Sequence, residues 1–424
     1  MKISIIAIGT RGDVQPAIAL GIGLMKNGHE VIIFASNNFD KLIRSYNLIS
    51  YPTKFNIQDL MNSKIGNKWV NNGTKSIHQL FIMKNILSNS IESGADIYEC
   101  CKNSDLVISS FTSDIFVQSI AEKLNIPHVS IPLQPSFTPT RSGFATMNAP
   151  VQNKYSIINY IFGKLFLMPS PWFWFGKSNN FFRKNVLKLK NQTKKECYNN
   201  LNKRLVIHGY SSSIIPHPLD YPMNYHTVGY WFLEDEKNRL IEKDLANFLS
   251  NGTTPICFGF GSMTGGENKK IMEIITATIK KLGVRAIILS GWSGMKNFPI
   301  DENIFVTDSV SHNFLFPKVS LIVHHGGAGT TAACLKAGTP MVIIPHLGDQ
   351  PFWGRIMNNL KVAPKSIYKS KLNKENLFKA IKFVLEKNYF KFNALHFSKL
   401  LEQENGILEA VNLINNFAEK NKKN

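Results

Sequence analysis

A chain of 424 residues with 44% hydrophobic content is too long for one ordinary core and long enough for two, which excludes disorder as its dominant state. Lys and Arg number 49 against 29 Asp and Glu, a formal charge of +20; this favours anionic partners (nucleic acid, phosphorylated small molecules, an anionic membrane face) and is silent about fold. The five cysteines, at 100, 101, 197, 257 and 334, are odd in number and lack metal-ligand or C-x-x-C spacing, so a reduced compartment is expected.

The opening MKISIIAIG is too short an apolar run for secretion or a bilayer span. Residues 3–8 within it read as a parallel strand buried on both faces. Residues 9–12 break the run, and 15–27 follow as a helix with Ile18, Ile22 and Met25 toward one face. The next strand is 31–34, and a right-handed crossover places both strands in one parallel sheet. Further strands are predicted at 106–109, 128–131 and 205–208, with helices near 75–101 and 114–124. The most apolar long segment is 155–175, YSIINYIFGKLFLMPSPWFWF. It has the length of a spanning helix, but Lys164, Pro169 and Pro171 argue against one. The surrounding 151–204 region holds 11 Lys and Arg and one acid, Glu196, interleaved with Trp172, Trp174 and several Phe.

A polar crossing at 233–238, LEDEKN, precedes a second α/β series. Its predicted strands are 255–260, 285–289, 304–306, 321–323 and 341–344, with helices between them. Helical periodicity returns at 374–386, 391–401 and 406–419. The expected domains are 1–235 and 236–390, with 391–424 as C-terminal helices packing back on the first. The fold class is α/β: two facing Rossmann-like domains with parallel sheets, each opening strand, glycine loop, helix. Ligands are expected at the carboxyl ends of the strands, in the cleft where the domains face.

The strongest local signal is 321–345, LIVHHGGAGTTAACLKAGTPMVIIP. A buried strand ends at His324 and His325; then Gly326, Gly327 and Gly329 flank Ala328 before a helix that runs on through Thr330. Small residues let a ligand approach the backbone, and N–H groups at a helix start favour phosphate. A tight turn that needs glycine only for packing is the competing explanation. The stretch lacks the Lys of a P-loop, and its G-G-x-G order is not G-x-G-x-x-G. Adjacent side chains on a strand diverge, so one His can face a phosphate while the other supports the loop. Asp349 and Gln350, past the next strand, suit a hydroxyl-rich ligand or an ordinary helix cap. In the first half Asp13 stands at a helix start, where it can cap the helix or act as a general base. Arg11, beside Gly12, can hold that loop, form a salt bridge or contact an anion. Ser262, within GFGSMTGG, is placed for phosphate contact or for a plain glycine-rich turn.

The stretches VHHGGAGTTAACLKAGTPMVIIPHLGDQPFWGR and GTRGDVQPAIALGIGLMKNGHEV resemble the family 1 glycosyltransferases, UDP-dependent inverting enzymes with the GT-B fold. VIHGYSSSIIPHPLDYP, VGYWFLED, FGFGSM and LSGW fit the sterol 3-beta-glucosyltransferases within that group best, with antibiotic-aglycone transferases as near neighbours. The resemblance covers nearly the whole chain. It implies Asp13 as catalytic base, with Arg11 and Gly12 in its loop. It implies His324 on the donor diphosphate, with Gly326, Gly327, Ala328, Gly329 and Thr330 around the phosphates. Asp349 and Gln350 would hold the sugar hydroxyls, Ser262 would lie near the diphosphate, and the backbone of Val310 would meet the uracil. Plant-type members carry a uracil-stacking Trp and a ribose-binding Glu where this chain has Ser309 and Ala332, a departure shared by the sterol branch. Because the motif starts at residue 3, the N-terminal membrane-binding domains of fungal sterol enzymes are not expected here.

The implied reaction is inverting transfer of glucose from UDP-glucose to the 3-beta hydroxyl of a sterol or sterol-like lipid. The alternative is UDP- or dTDP-sugar transfer to a soluble polyketide, peptide or phenolic acceptor. A sugar-nucleotide isomerase of similar fold and a nonenzymatic lipid binder are further competing classes. No cofactor and no metal are expected: one displacement needs one base and a stabilised leaving group, and the chain has no Asp-x-Asp pair. The basic charge is accompanied by no nucleic-acid-binding motif, so nucleic acid is not an expected partner. The expected location is cytoplasmic. The 151–204 region, with Phe166, Trp172, Trp174 and Phe175 beside its cations, reads either as a peripheral anchor bordering the acceptor mouth or as an aromatic hairpin packed on the first domain.

Overall fold

The computed structural model describes residues 1–53, 56–57, 59, 63, 91–234, 243–259, 268–290, 302–308, 310–346 and 348–422. Their contacts divide into two compact units. One comprises Met1–Asp59, Ser76–Leu233 and Glu404–Asn424; the body of the other is Glu234–Gln403.

The described strands of the first unit are β1 (Lys2–Ile6), β2 (Glu30–Phe34), β3 (Ile49–Ser50), β4 (Leu106–Ser109), β5 (His128–Ser130), β6 (Leu205–His208) and β7 (Tyr225–Thr227). All pair in parallel, in the order 3-2-1-4-5-6-7. Ile3, Ile5, Ile6, Val107 and Ile108 are sealed from solvent, as a sheet covered on both faces requires. The strand order turns at β1 and β4, so the crevice beyond their carboxyl ends is the natural ligand position. The first helix, Arg11–Lys26, begins earlier than its apolar spacing suggested, because Thr10 and Asp13 form a capping box. The two- and three-residue strands β3 and β7 carry too short an apolar run to be read from sequence.

The apolar segment 155–175 does not form one helix. It divides into a helix Ile157–Phe162, a wide π-helical turn Gly163–Leu167, and the start of a helix Ser170–Asn185 with proline in its first turn. Among the described residues no helix is long and apolar enough to cross a membrane. The Ser170–Asn185 helix packs on Asp114–Leu124, where Phe116 meets Phe175 and Phe182 edge-on at 6.3 and 5.9 Å. Trp172 and Trp174 are half-buried against Ile115, Phe175 and Cys197. These rings, with Phe175, therefore belong to the packing of the unit and do not form an exposed anchor; Phe166 alone of the four aromatics stands exposed.

In the second unit the described strands β8 (Ile256–Gly259), β9 (Ala286–Leu289), β10 (Ile304–Thr307), β11 (Leu321–His324) and β12 (Met341–Ile343) run parallel in the order 10-9-8-11-12. The order turns at β8 and β11. Phe258, Ile288, Val323 and Val342 pack there with Leu377 and Ile381 of the Lys374–Glu386 helix. The helix Tyr389–Glu402 stays with this unit, contrary to the expectation that 391–424 packs on the first. Its Lys391 Nζ and Ser398 Oγ donate to the carbonyls of Gly338 and Lys336 at 2.9 and 2.7 Å, tying it to the end of the Ala328–Lys336 helix. The helix Gly406–Lys422 does join the first unit. Trp231 Nε1 donates to the Gly406 carbonyl at 3.1 Å, and an added Cβ at Gly23 would lie 2.4 Å from Ile407. All five cysteines are buried free thiols.

Arg183 holds the 151–204 region to the first sheet's helices. Its guanidinium forks onto Glu122 at 2.8 and 2.9 Å, and its Nε donates to the Lys190 carbonyl at 2.9 Å. Arg183→Met would remove the fork from the exposed Glu122 carboxylate, which keeps Asn200 Nδ2 at 3.4 Å and Gln118, and would leave the Lys190 carbonyl without this donor, a loss of about 1–2 kcal/mol. The expected readout is a lower urea midpoint for the first unit, with Lys184→Met, exposed one residue on, leaving it in place.

Candidate active site

In the first unit the chain leaves β1 and enters the Arg11–Lys26 helix across Gly9 and Thr10. The Thr10 N–H donates to Asp13 Oδ2 at 2.8 Å, and the Asp13 N–H donates to the Thr10 carbonyl at 2.9 Å. A Cβ at Gly9 would lie 2.1 Å from Asp13 Oδ2. Glycine is therefore required at position 9 because the carboxylate occupies the space of a side chain. Asp13 borders a crevice walled by Pro16, Ala17, Phe111, Ile131 and Leu133, with Ser110 and Gln134 as its polar members. Behind Phe111 the aromatic packing continues through Phe137 (5.0 Å) to Trp174 (5.7 Å). A half-buried carboxylate on an apolar wall suits a base that receives the hydroxyl of a hydrocarbon-rich molecule. Arg11 is exposed, and Gly12 has room for a Cβ, its nearest neighbour being 3.8 Å away.

In the second unit the two histidines after β11 part. His324 points into the core and is fully buried. Its Nδ1 accepts the Gly326 N–H at 3.1 Å, and its Nε2 lies 3.4 Å from Met341 Sδ. Burial holds its pKa well below the usual imidazole value. His325 is half-buried at the loop, with its Nε2 2.6 Å from where a Cβ on Gly327 would stand. Its Nδ1 is buried with no hydrogen-bond partner among the described residues. Burial lowers its pKa to about 4, opposed by the nearby Gly259 backbone, so the ring is neutral near pH 7.

Gly326 adopts φ +88°, and a Cβ there would lie 2.7 Å from Ile343 and 3.2 Å from the Gln350 carbonyl. The helix Ala328–Lys336 then starts from Gly327. Its first i→i−4 bond runs from Thr331 N–H to the Gly327 carbonyl, so the N–H groups of Ala328, Gly329 and Thr330 precede the helical ladder. With His325 they offer hydrogen-bond donors to an anion without adding charge of their own.

Asp349 stands at the N-cap position of the helix Gln350–Asn359 without a side-chain capping bond and accepts from Trp353 Nε1 at 2.8 Å. Burial raises its carboxyl to about 6, with the Trp353 hydrogen bond opposing. Gln350 is buried, and its Oε1 accepts the His346 N–H at 2.7 Å, which fixes the turn after β12. Val310 is half-buried beyond the carboxyl end of β10. Ser262 and Ser309 lie outside the described residues.

Residues 159–405 match the family described as UDP-glucoronosyl and UDP-glucosyl transferase. The chain belongs to that family. Residues 3–142 match the glycosyltransferase family 28 N-terminal domain. A sterol 3-beta-glucosyltransferase of Arabidopsis thaliana is 32% identical over 425 residues, covering 97% of this chain and 67% of the plant protein. A sterol 3-beta-glucosyltransferase of Komagataella phaffii is 30% identical, covering 97% of this chain and 34% of the yeast protein. The chain thus spans about two thirds of the plant relative and about one third of the yeast one. Among solved structures, the glycotransferase of kitacinnamycin aligns over 98% of this chain and 99% of its own, with TM-score 0.70 and 14% identity. That likeness concerns the GT-B fold, which the two parallel-sheet units bear out.

The structure places the two histidines of the 321–345 stretch differently from one another. His324 was expected on the diphosphate, but both its ring nitrogens are engaged in the core. His325 is the imidazole at the anion-shaped turn. The alternation of a strand separates the two residues without saying which one faces inward; the preceding Val323 and Leu321, both sealed in the core, do not settle it either in a strand buried on both faces. Gly326→Ala is expected to destabilise the second unit by about 1–3 kcal/mol, seen as a lowered thermal midpoint. Gly12→Ala, with space and an ordinary helical position, should leave the midpoint of the first unit within about 0.5 kcal/mol of its original stability.

Proposed function

We propose that the chain transfers glucose from UDP-glucose to the 3-beta hydroxyl of a sterol or sterol-like lipid, with inversion at the anomeric carbon. The observation that carries this reading is Asp13, a carboxylate set on the wall of an apolar crevice at the strand-order reversal of the first unit. The names of relatives that match nearly all of this chain support the same acceptor class.

As the acceptor oxygen attacks the anomeric carbon, Asp13 takes its proton. The bond from that carbon to the UDP oxygen breaks, and UDP departs from the opposite face. Negative charge then grows on the diphosphate, where the neutral imidazole of His325 and the first-turn amides of Ala328, Gly329 and Thr330 meet it. His324 acts behind them by holding the Gly326 N–H. The Asp349 carboxylate accepts from sugar hydroxyls, while Gln350 keeps the 346–350 turn in shape. The Val310 backbone on the uracil, Ser262 and Gly327 near the diphosphate, and Arg11 with Gly12 in the base-bearing loop complete the assignment. The reading routes no step through a cofactor or metal. A sterol is nearly all hydrocarbon and resides in a bilayer, so in this reading the enzyme works as a peripheral membrane protein.

Asp13→Asn is expected to lower turnover about 10²- to 10⁴-fold while UDP-glucose still binds, measured by product mass and donor calorimetry. Retained turnover would remove the base assignment. His325→Ala should cut turnover by about 10²-fold or more, whereas His324→Ala should act mainly through stability. Because the Asp349 carboxyl sits at about 6, it is ionised above that pH and becomes protonated below it, losing capacity to accept. The KM for UDP-glucose should therefore rise as pH falls through about 6, and Asp349→Asn should give a raised KM with no such inflection. Comparing a sterol with a panel of phenols and polyketides as acceptors decides the substrate class.

A further inference from the structure

The helix Ile157–Phe162 and the turn Gly163–Leu167 carry their polarity the wrong way round for a globular surface. Asn159 faces inward and is fully buried. Its Oδ1 accepts the Val151 N–H at 2.9 Å, and its Nδ2 donates to the Val151 and Arg141 carbonyls at 2.8 and 3.1 Å. Gly163, one turn on, is also buried, and a Cβ there would lie 3.0 Å from Pro139 Cα. Ile158, Ile161 and Leu165, at the i, i+3, i+7 spacing of one helix face, stand exposed together with Phe166. The segment cannot roll its apolar stripe inward without stranding Asn159.

A second, distant segment lies beside it. Arg141 joins the two: its carbonyl accepts from Asn159 Nδ2 and from the Ser156 N–H at 2.8 Å, and its N–H donates to Asp220 Oδ2 at 2.7 Å. Tyr221, the next residue, is buried and stacks on His208 at 5.6 Å. Anchored in this way, the loop holds out Leu219 and Met223, 91% and 96% exposed. The charge around this surface has one sign. Between Glu122 and Glu196 the sequence has 11 Lys and Arg and no acid, with Arg141, Lys154, Lys164 and Lys177 exposed. Asp220, the carboxylate brought in by the loop, is already tied to Arg141 and to Thr140 Oγ1.

We infer that Ile158, Ile161, Leu165 and Phe166, together with Leu219 and Met223, form a docking face for an anionic phospholipid bilayer. The apolar side chains enter the acyl boundary while the surrounding Lys and Arg meet the headgroups. The inference rests on the peripheral-enzyme reading above, and the two fail separately. Vesicle binding can be absent while a detergent-dispersed sterol is still glucosylated, and the reverse.

The test is co-sedimentation of the 424-residue chain with vesicles of phosphatidylcholine, alone or mixed with phosphatidylserine. The chain is expected to partition onto the mixed vesicles and less onto phosphatidylcholine alone, with added salt weakening the difference. The pairs Leu165→Ser with Phe166→Ser, and Leu219→Ser with Met223→Ser, should each reduce partitioning about tenfold or more. Ile49→Ser, an exposed apolar residue on β3, should not. All these side chains are exposed, so unchanged near-ultraviolet circular dichroism and thermal midpoints are expected. Binding of the pair variants equal to the original, or equal partitioning onto both vesicles, would overturn the inference. So would a dimer in solution that the same substitutions dissociate, since a second copy would then own the face.

Discussion

Where a side chain at position 9 would stand, the carboxylate of Asp13 stands instead, 2.1 Å from the place of the missing Cβ. The second unit repeats the device: the imidazole of His325 lies 2.6 Å from the place of a Cβ on Gly327, and Ile343 crowds Gly326 in the same way. In the proposed function, each half of the chemistry is a side chain laid directly on glycine backbone at the carboxyl end of a parallel strand. A methyl group at position 9 or 327 would displace the very side chain, Asp13 or His325, that the proposed function uses. The same contacts also build the fold. The Asp13 oxygen proposed to carry catalysis in the first unit accepts the Thr10 N–H that starts the first helix, so that base and helix are set by one hydrogen bond.

Much of this frame was legible in the sequence because the strands are short apolar runs punctuated by glycine. Residues 205–208 and the helices 114–124 and 374–386 fall where periodicity placed them. The first helix was read four residues late: Thr10 and Asp13 cap it before its apolar spacing begins. The expectation for 391–402 failed because an amphipathic helix advertises that it packs and not on what; Lys391 and Ser398 choose the Ala328–Lys336 helix through carbonyls that no pattern reveals. Trp172 and Trp174 drew attention as membrane aromatics by composition alone. Their rings fill space beside Phe175, and the outward residues are others of the same segment, Ile158, Ile161, Leu165, Phe166 and Phe173.

Charge and chemistry are separated along the chain. Residues 123–195 supply 11 of the formal +20, whereas residues 321–350 hold one Lys and one Asp. If this turn binds phosphate as proposed, being so poor in cations it must rely on oriented N–H groups and a neutral ring. Dipoles fixed before the ligand arrives need no reorganisation as charge develops, and they do not hold the product UDP with the strength of a full ionic clamp. The high net charge is thus misleading as a guide to the donor site and informative about a surface elsewhere.

That surface is best understood as a competition between two ways of placing one helical turn. Rolling Ile158, Ile161 and Leu165 inward would remove apolar area from water, a gain of roughly 1.5–3 kcal/mol for each side chain fully buried. It would also expel Asn159 from four hydrogen bonds and leave the Val151 N–H and carbonyl without this partner, at about 1–3 kcal/mol for each group. It would open the space over Pro139 that Gly163 now fills by having no side chain. The terms are of similar size, so the arrangement is held by the match of Asn159 and Gly163 to the 139–151 backbone, not by hydrophobic burial. In the proposed docking, an apolar face kept outward at that expense finds its energetic return in the acyl phase. Arg141, which links Asn159 to Asp220, makes the two exposed segments parts of one rigid edge, so insertion of either would carry the other with it.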